Sequence, residues 1–324
     1  VGIDSEINSF AMAEFFNHLV NTQEYDIAIM GGVPQLGYAE YQLDTASLEY
    51  ITGWGTMSPQ DYKDKNVLMR ESKTRIEAIK NATELGRAIT EYLPFVVILT
   101  SRGAIPINTE FTGYDSQNPI NPAFSWWTYL NIRRADGKPG GTFKLSAPFD
   151  PPNANPYNTT ITYGVDRIYS WLLYEPLVHG TAPGKISEPT PGLATNWSRE
   201  PKTVDGKDGQ VLTFNLAENA KWHDGKPFTS EDVEFTLNLV KPVKHVHVRR
   251  MDRLVSVDAL DKYTVKVTLD SPSYWGLFWI GTLHILPKHI WDGISEFQKH
   301  NPDTPIGTGP FKFKDRVVGD FIRL

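Results

Sequence analysis

Two stretches in the last third of the chain alternate apolar and polar residues with a period of two, and this pattern constrains the fold more than any other feature. They are QVLTFNLAENAKW (210–222) and DKYTVKVTLDSPS (261–273). The apolar positions are Leu212, Phe214 and Leu216 in the first stretch and Tyr263, Val265, Val267 and Leu269 in the second. Such alternation is typical of a strand with one face on a core. The sequence therefore predicts substantial antiparallel sheet in this part of the chain.

A turn and a helix start lie between these two strands, in WHDGKPFTSEDVEFTL. Asp224 and Gly225 form a strong turn dipeptide. Thr229 is placed to cap a helix, and Asp232 three residues later completes a capping box. A histidine beside a carboxylate also raises the question of a catalytic or metal-binding pair at His223. No second carboxylate or nucleophile accompanies it, so a structural role is the favoured interpretation.

The earlier part of the chain alternates helix and strand patterns. Residues 2–10, 11–21 and 24–32 read as strand, helix and strand, which is a βαβ pattern. A long helix is predicted over 71–91, with one face formed by Ile76, Ile79, Ala82, Leu85 and Ile89. A buried strand follows at 95–99, a new strand at GTFKLSAPF (141–149), and a further helix over 164–178. The predicted class is α/β, with mixed sheets and flanking helices.

Composition excludes several classes of function. The net charge of −6 argues against a nucleic-acid partner, and the absence of cysteine excludes disulfides, thiolate metal sites and a cysteine nucleophile. His245 and His247 lie at strand spacing without further ligands beside them, so no metal is expected. GTGPF (307–311) lacks the lysine of a phosphate loop and is interpreted as a tight turn. We expect no cofactor, and no motif supports a nucleotide-binding or hydrolase function.

Several segments resemble one family in order and spacing. LATNWSREPKTVDGKDGQVLTFNLAENAKWHDGKPFTSEDVEFTL, YSWLLYEPLV, VSVDALDKYTVKVTL and PIGTGPFKF are similar to the large extracytoplasmic solute-binding proteins of ABC importers, bacterial family 5, and the likeness covers nearly all of 141–324. VGIDSEINSFAMAEFFNHLVNTQEYDIAIMGG and RAITEYLPFVVILTSRGAIPINTEFTGYD resemble late segments of the same family. The late segments here precede the early ones, and the family's middle is missing.

This order predicts a shortened, circularly permuted chain that is cut at both ends. The expected organisation is a partial second lobe at 1–98, a return strand and C-terminal segment of the first lobe at 99–132, a linker at 133–141, and the main part of the first lobe at 142–324. The resemblance implies a periplasmic-binding-protein-like fold of class II, cluster C type, with one lobe largely complete and the other partial. Two such lobes close on a ligand about a hinge.

The resemblance also implies a function without chemistry. The expected role is capture of a short oligosaccharide or oligopeptide outside the cytoplasm, in the periplasm or at the cell surface, and its delivery to the permease subunits of an ABC importer. A monomer is expected.

The site residues implied by the resemblance lie on two walls of a cleft. In peptide-binding members an aspartate on the second lobe pairs with the peptide's amino terminus, and its position falls near Gln35 here. Glutamine cannot supply that charge-assisted bond but can bind sugar hydroxyls, so the sequence favours an oligosaccharide. The expected ligand-binding residues are Gly31, Gly32 and Gln35 on one wall, Asn155 and Tyr157 on the other, and Trp126, Trp127, Trp275 and Trp279 as stacking faces.

Two alternatives remain open at this point. The chain is a permuted scaffold of that fold whose binding is vestigial, or it is a glycoside hydrolase. The second would need two carboxylates about 5 to 9.5 Å apart across a cleft, and no motif isolates such a pair.

Overall fold

A computed structural model describes residues 6, 8, 9, 14, 60–92, 108–114, 126–146, 154–158, 165–181, 188–243 and 251–324. The chain divides into two compact units, residues 1–100 and 101–324. The predicted strands at 2–10, 24–32 and 95–99 lie wholly or mostly outside the described residues.

Two helices form a hairpin in the first unit, α1 (Gln60–Arg70) and α2 (Arg75–Tyr92). The predicted long helix begins four residues later than expected because Thr74 and Glu77 form a capping box. The Glu77 backbone N–H donates to the Thr74 hydroxyl at 3.2 Å, and the Glu77 carboxylate accepts the Thr74 N–H at 3.3 Å. The predicted inward face is correct at Ala82 and Leu85, but Ile76 is 82% exposed.

The centre of the second unit is a four-stranded antiparallel sheet in the order β5–β6–β8–β7. Its strands are β5 (Ala194–Val204), β6 (Lys207–Leu216), β7 (Leu254–Asp261) and β8 (Thr264–Leu269). Leu212 lies opposite Val267 and Phe214 opposite Val265, and all four side chains are 0% exposed. The alternating pattern therefore predicted both the strands and their buried face correctly.

One helix covers the buried face of this sheet, α5 (Ser230–Val240). Val233, Leu237 and Val240 are fully buried, as their helical spacing predicts. The same helix protects the outer edge of β7, because Glu234 accepts the Ala259 N–H at 3.3 Å. A side chain that occupies an edge N–H hinders pairing with a second chain.

Smaller elements surround this sheet in the second unit. The helices are α3 (Trp126–Asn131), α4 (Val165–Leu173), α6 (Gly276–Gly281) and α7 (Lys288–Trp291). Three two-stranded antiparallel sheets pair β1 (Phe111–Thr112) with β2 (Arg133–Arg134), β3 (Val178–Thr181) with β4 (Pro189–Pro191), and β9 (Asp315–Val317) with β10 (Phe321–Arg323).

Two predicted elements differ from the structure. Residues 141–146 have no regular secondary structure, so the described part of the strand predicted at 141–149 is wrong. The helix predicted over 164–178 ends at Leu173, because the chain turns there into Pro176 and β3. Proline disfavours the helical conformation of the residue before it.

The described elements form an α/β fold in which every strand pairing is antiparallel. Helices and strands both contribute, as predicted. The permuted order and the completeness of either lobe stay predictions.

Candidate functional site

Asp232 organises the motif that the sequence singled out. Its carboxylate accepts hydrogen bonds from the Thr229 N–H at 2.9 Å, the Lys288 N–H at 3.0 Å and the Trp222 indole N–H at 3.3 Å. It is 5% exposed, so these donors replace its lost hydration. The carboxylate thus joins the turn, the start of α5 and the start of α7, which is a structural role.

His223 holds a glycine-containing loop against this turn. Its Nε2 lies 2.9 Å from the Gly309 carbonyl oxygen, and its Nδ1 accepts the Gly307 N–H at 3.2 Å. The His223 backbone N–H also donates to the Gly307 carbonyl at 2.8 Å. Because Nδ1 accepts, Nε2 must carry the proton and the ring must be neutral. Burial lowers the pKa of His223, which favours that neutral form. The predicted structural role agrees with this geometry.

The 307–309 loop in turn completes the end of α4. Gly309 N–H donates to the Leu173 carbonyl at 2.8 Å, and Phe311 N–H donates to the Leu172 carbonyl at 3.1 Å. These carbonyls are among the last of the helix and have no partner within it. A Cβ at Gly307 would lie 1.8 Å from the Leu173 oxygen, so only glycine permits this approach. The segment interpreted as a tight turn is therefore a cap for α4.

Glu175 lies just beyond that capped helix end and is partly buried. Burial raises the pKa of its carboxyl to about 7, and the neighbouring Thr308 hydroxyl lowers it in part. Thr308 lies at the centre of the loop that His223 holds. Its hydroxyl oxygen is buried and has no hydrogen bond of good geometry to any described residue.

Sequence reasoning missed Glu175. A signal was present, because Glu175 is the acidic residue in the apolar run WLLYEPLV. A carboxyl group whose sequence neighbours on both sides pack into the core is buried in part along with them, at a cost in hydration.

Asn155 and Tyr157, predicted to face a ligand, are 5% and 1% exposed. The Asn155 amide donates to the carbonyls of Phe297 at 2.6 Å and His300 at 3.0 Å, and the Tyr157 hydroxyl donates to the His284 carbonyl at 2.6 Å. These bonds fasten residues 154–158 to the segments that follow α6 and α7. Both side chains are occupied within the unit, and their contact with a ligand stays a prediction.

The four predicted tryptophan platforms fall into two groups. Trp275 and Trp279 are 0% and 2% exposed, so neither indole offers a face to a ligand in this structure. Trp126 and Trp127 are partly exposed, and both contact His179. The Trp126 ring stacks on the imidazole with centroids 4.6 Å apart. Burial lowers the pKa of His179 to about 4, so this stack contains a neutral imidazole near pH 7.

The predicted opposite wall, Gly31, Gly32 and Gln35, lies outside the described residues, as do His245 and His247. Among the residues that are described, no group of three or more histidine, aspartate and glutamate side chains is placed to hold a metal ion. None of the helices in the described ranges is both long and apolar enough to cross a bilayer.

Comparison with known proteins places one family on residues 188–324. This segment matches the model described as "Bacterial extracellular solute-binding proteins, family 5 Middle". It contains the central sheet, α5, His223 and the 307–309 loop.

Curated relatives carry related names. A provisionally named ABC transporter peptide-binding protein of Brucella ovis is 35% identical over 164 residues, which are 48% of this chain and 29% of the relative. The nickel-binding periplasmic protein of Escherichia coli is 28% identical over 178 residues, 53% of this chain and 32% of the relative. Oligopeptide-binding protein AppA of Bacillus subtilis is 35% identical over 132 residues, 38% and 24% of the two chains. The chain thus spans about a third or less of the length of these relatives.

Solved structures of similar proteins align only in part. AppA from Bacillus subtilis in complex with a nonapeptide gives a TM-score of 0.39 at 28% identity, covering 52% of this chain and 32% of that one. NikZ from Campylobacter jejuni in complex with Ni(L-His) gives 0.41 at 26% identity, covering 53% and 32%.

Proposed function

We propose that this chain contributes to an extracytoplasmic solute-binding protein that captures a small ligand and delivers it to an ABC importer. The observation that carries the proposal is the match of residues 188–324 to the family 5 solute-binding model. The curated relatives support it, because their names describe peptide-binding and nickel-binding proteins of transport systems.

The geometry of the described unit is consistent with binding rather than catalysis. Asp232 and His223, the polar residues of the most informative motif, are both saturated with structural hydrogen bonds. A catalytic pair needs free groups aimed at one reacting atom. Glycoside hydrolysis is therefore the least supported alternative, and turnover of a chromogenic glycoside by the purified chain would establish it.

A short peptide is the first ligand we propose. The names of two of the three relatives refer to peptides. A short oligosaccharide is the second, because the resemblance implies that Gln35 falls near the position where the family's peptide-binding members carry an aspartate. Two lobes that close on the ligand, permease subunits as partners, a monomeric state and a location outside the cytoplasm complete the proposal.

A thermal-shift screen of the full chain tests this function. The panel contains tripeptides, pentapeptides and maltotriose. A ligand at 100 times its dissociation constant stabilises the folded state by about 2.7 kcal/mol, which raises the melting temperature measurably. Stabilisation by any of these ligands supports the proposal. A cooperative melt that no ligand shifts would favour the alternative of a permuted scaffold with vestigial binding.

A substitution at Gln35 separates the two ligand classes. Gln35→Asp supplies the carboxylate that an ammonium group prefers. If the site binds peptides at this position, the variant binds free-amine tripeptides more tightly than the wild type and N-acetylated ones unchanged. If the variant and the wild type bind the free-amine tripeptides with equal affinity, Gln35 does not lie at the binding site for the peptide's amino terminus.

A further inference from the structure

Residues 140–146 form an exposed segment of the second unit, between β2 and α4. None of them belongs to a helix or a strand, and every one except the half-buried Phe143 is exposed. Even the apolar side chain of Leu145 is 37% exposed. Among the described residues, no strand pairs with this segment. Its backbone is therefore open to solvent along its length.

The backbone of this segment also has few interactions to lose. In the part of the chain that the structure describes, no N–H or carbonyl group of residues 140–146 takes part in a hydrogen bond. Phe143 attaches the segment to the unit by an edge-on contact with Phe111, at a centroid distance of 5.4 Å, and by a contact with Tyr114 at 6.2 Å. A segment with few contacts opens locally at a low cost in free energy.

A backbone of this kind suits the active-site cleft of a protease. Proteases nick folded proteins where the chain is exposed and unpaired, because the cleft must form hydrogen bonds with the substrate's main chain in place of those within the protein. Lys144 lies exposed inside the segment. The bond after a lysine is the substrate of trypsin-like proteases, which carry an aspartate in the pocket that receives the basic side chain.

We propose that the Lys144–Leu145 bond is a processing site for a trypsin-like protease, and that the two fragments of the cut chain stay together. Hydrolysis adds one water molecule across the amide bond and leaves a carboxylate on Lys144 and an ammonium group on Leu145. The inference goes beyond the proposed function and does not depend on any ligand.

Packing within the second unit holds the two fragments together. Tyr129 of α3 is 7% exposed and packs with Leu172 of α4 and with Phe311. Trp126 of the same helix stacks on His179 of β3. These contacts join residues before the cut to residues after it. The central sheet lies wholly after the cut, so cleavage does not interrupt it.

Lys299 provides a matched control, because its side chain is also exposed but its backbone is held in place. The side chain is 70% exposed. Its N–H donates to the Glu296 carbonyl at 2.9 Å, and the N–H of His300 donates to the Phe297 carbonyl at 3.2 Å. If an exposed lysine were sufficient for cleavage, the bonds after Lys144 and Lys299 would be cut equally readily. If an unpaired backbone is required, only the first is cut readily.

Limited trypsin digestion of the full chain at pH 8, followed by mass spectrometry, tests the processing site. The cleavage rate of each bond is divided by its rate in a synthetic peptide, residues 139–149 for Lys144 and residues 294–304 for Lys299. This ratio removes the sequence preference of the protease. The variants are Lys144→Gln and Lys299→Gln. Size-exclusion chromatography of the cut protein then tests whether the fragments stay together.

We expect the bond after Lys144 to be cut within about 10-fold of its peptide rate, and the bond after Lys299 at least about 100-fold more slowly than its peptide. Lys144→Gln should abolish the first cut and leave the second unchanged, whereas Lys299→Gln should leave the first unchanged. The fragments should elute together at the volume of the intact protein.

Two results would overturn the inference. Equal protection of the two bonds would mean that cleavage requires unfolding of the whole unit, so that residues 140–146 are not a processing site. Elution of residues 1–144 and 145–324 at separate volumes would overturn the association of the fragments. Neither readout depends on the thermal-shift screen, so failure of the proposed function is distinguishable from failure of this inference.

Discussion

Replacing Glu175 by glutamine should make the protein more stable above neutral pH. Glutamine keeps the size and the hydrogen-bonding groups of a protonated glutamate but never ionises. In the wild type, burial raises the pKa of the carboxyl from 4.5 to about 7. The folded state therefore holds this proton over a pH range in which the unfolded state has already lost it.

The sign and size of the effect follow from this difference. Below pH 4.5 both states are protonated and the substitution changes little. Between pH 4.5 and pH 7 the wild type loses about 1.4 kcal/mol of stability per pH unit, and above pH 7 the loss is complete. Glu175→Gln should therefore raise the free energy of unfolding by about 3 kcal/mol at pH 8 and by less than about 1 kcal/mol at pH 5.

Urea unfolding followed by tryptophan fluorescence measures this difference. Wild type, Glu175→Gln and the control Glu200→Gln are compared at pH 5 and pH 8. Since Glu200 is exposed, its variant should follow the wild type at both values. If Glu175→Gln differs from the wild type by the same amount at pH 5 and pH 8, or is less stable at pH 8, the carboxyl is not buried as described and the reasoning fails.

Three further substitutions test the turn and the loop. His223→Ala should lower the free energy of unfolding by about 2–3 kcal/mol at pH 7, because it removes the partner of two backbone groups of the 307–309 loop. Urea titrations should show a smaller loss at pH 5, because the lowered pKa of His223 makes the wild type itself less stable where the unfolded state gains a proton. Gly307→Ala should lower the free energy of unfolding by more than about 3 kcal/mol, since its methyl group would overlap a carbonyl oxygen of α4. The control Gly180→Ala has open space around the added methyl group, so calorimetry should give a melting temperature close to that of the wild type. Asp232→Asn should lower the free energy of unfolding by about 2–3 kcal/mol, because one of its oxygen acceptors becomes a donor facing other donors. The control Glu231→Gln removes an exposed ion pair and should cost at most about 1 kcal/mol. Equal losses in urea titrations of the two variants would contradict the role of Asp232.

The central sheet could be predicted from the sequence because its buried face follows from a local pattern, the alternation of apolar and polar residues. Leu212, Phe214, Val265 and Val267 alternate with polar neighbours, and only a strand places such residues on one side. The start of α5 was equally predictable from the sequence, since Thr229 and the acidic residues after it are local partners for the first N–H groups of the helix.

The candidate site was less predictable because it depends on contacts between distant segments. The burial of Glu175 arises where the end of α4 meets the 307–309 loop, and no local pattern encodes that meeting. Trp275 and Trp279 show the same limit in reverse. The sequence does not distinguish a tryptophan that packs in a core from one that faces a ligand. Trp275 and Trp279 both lie in the core.

The contact between His223 and the glycine loop has a consequence for the order in which the chain acquires its structure during synthesis. The N–H groups that cap the end of α4 belong to residues that leave the ribosome long after the helix itself. The partner of His223, Gly309, lies 86 residues later in the chain. A contact between segments so far apart in the chain forms late. The end of α4 and the surroundings of Glu175 should therefore be among the last parts of this unit to become native.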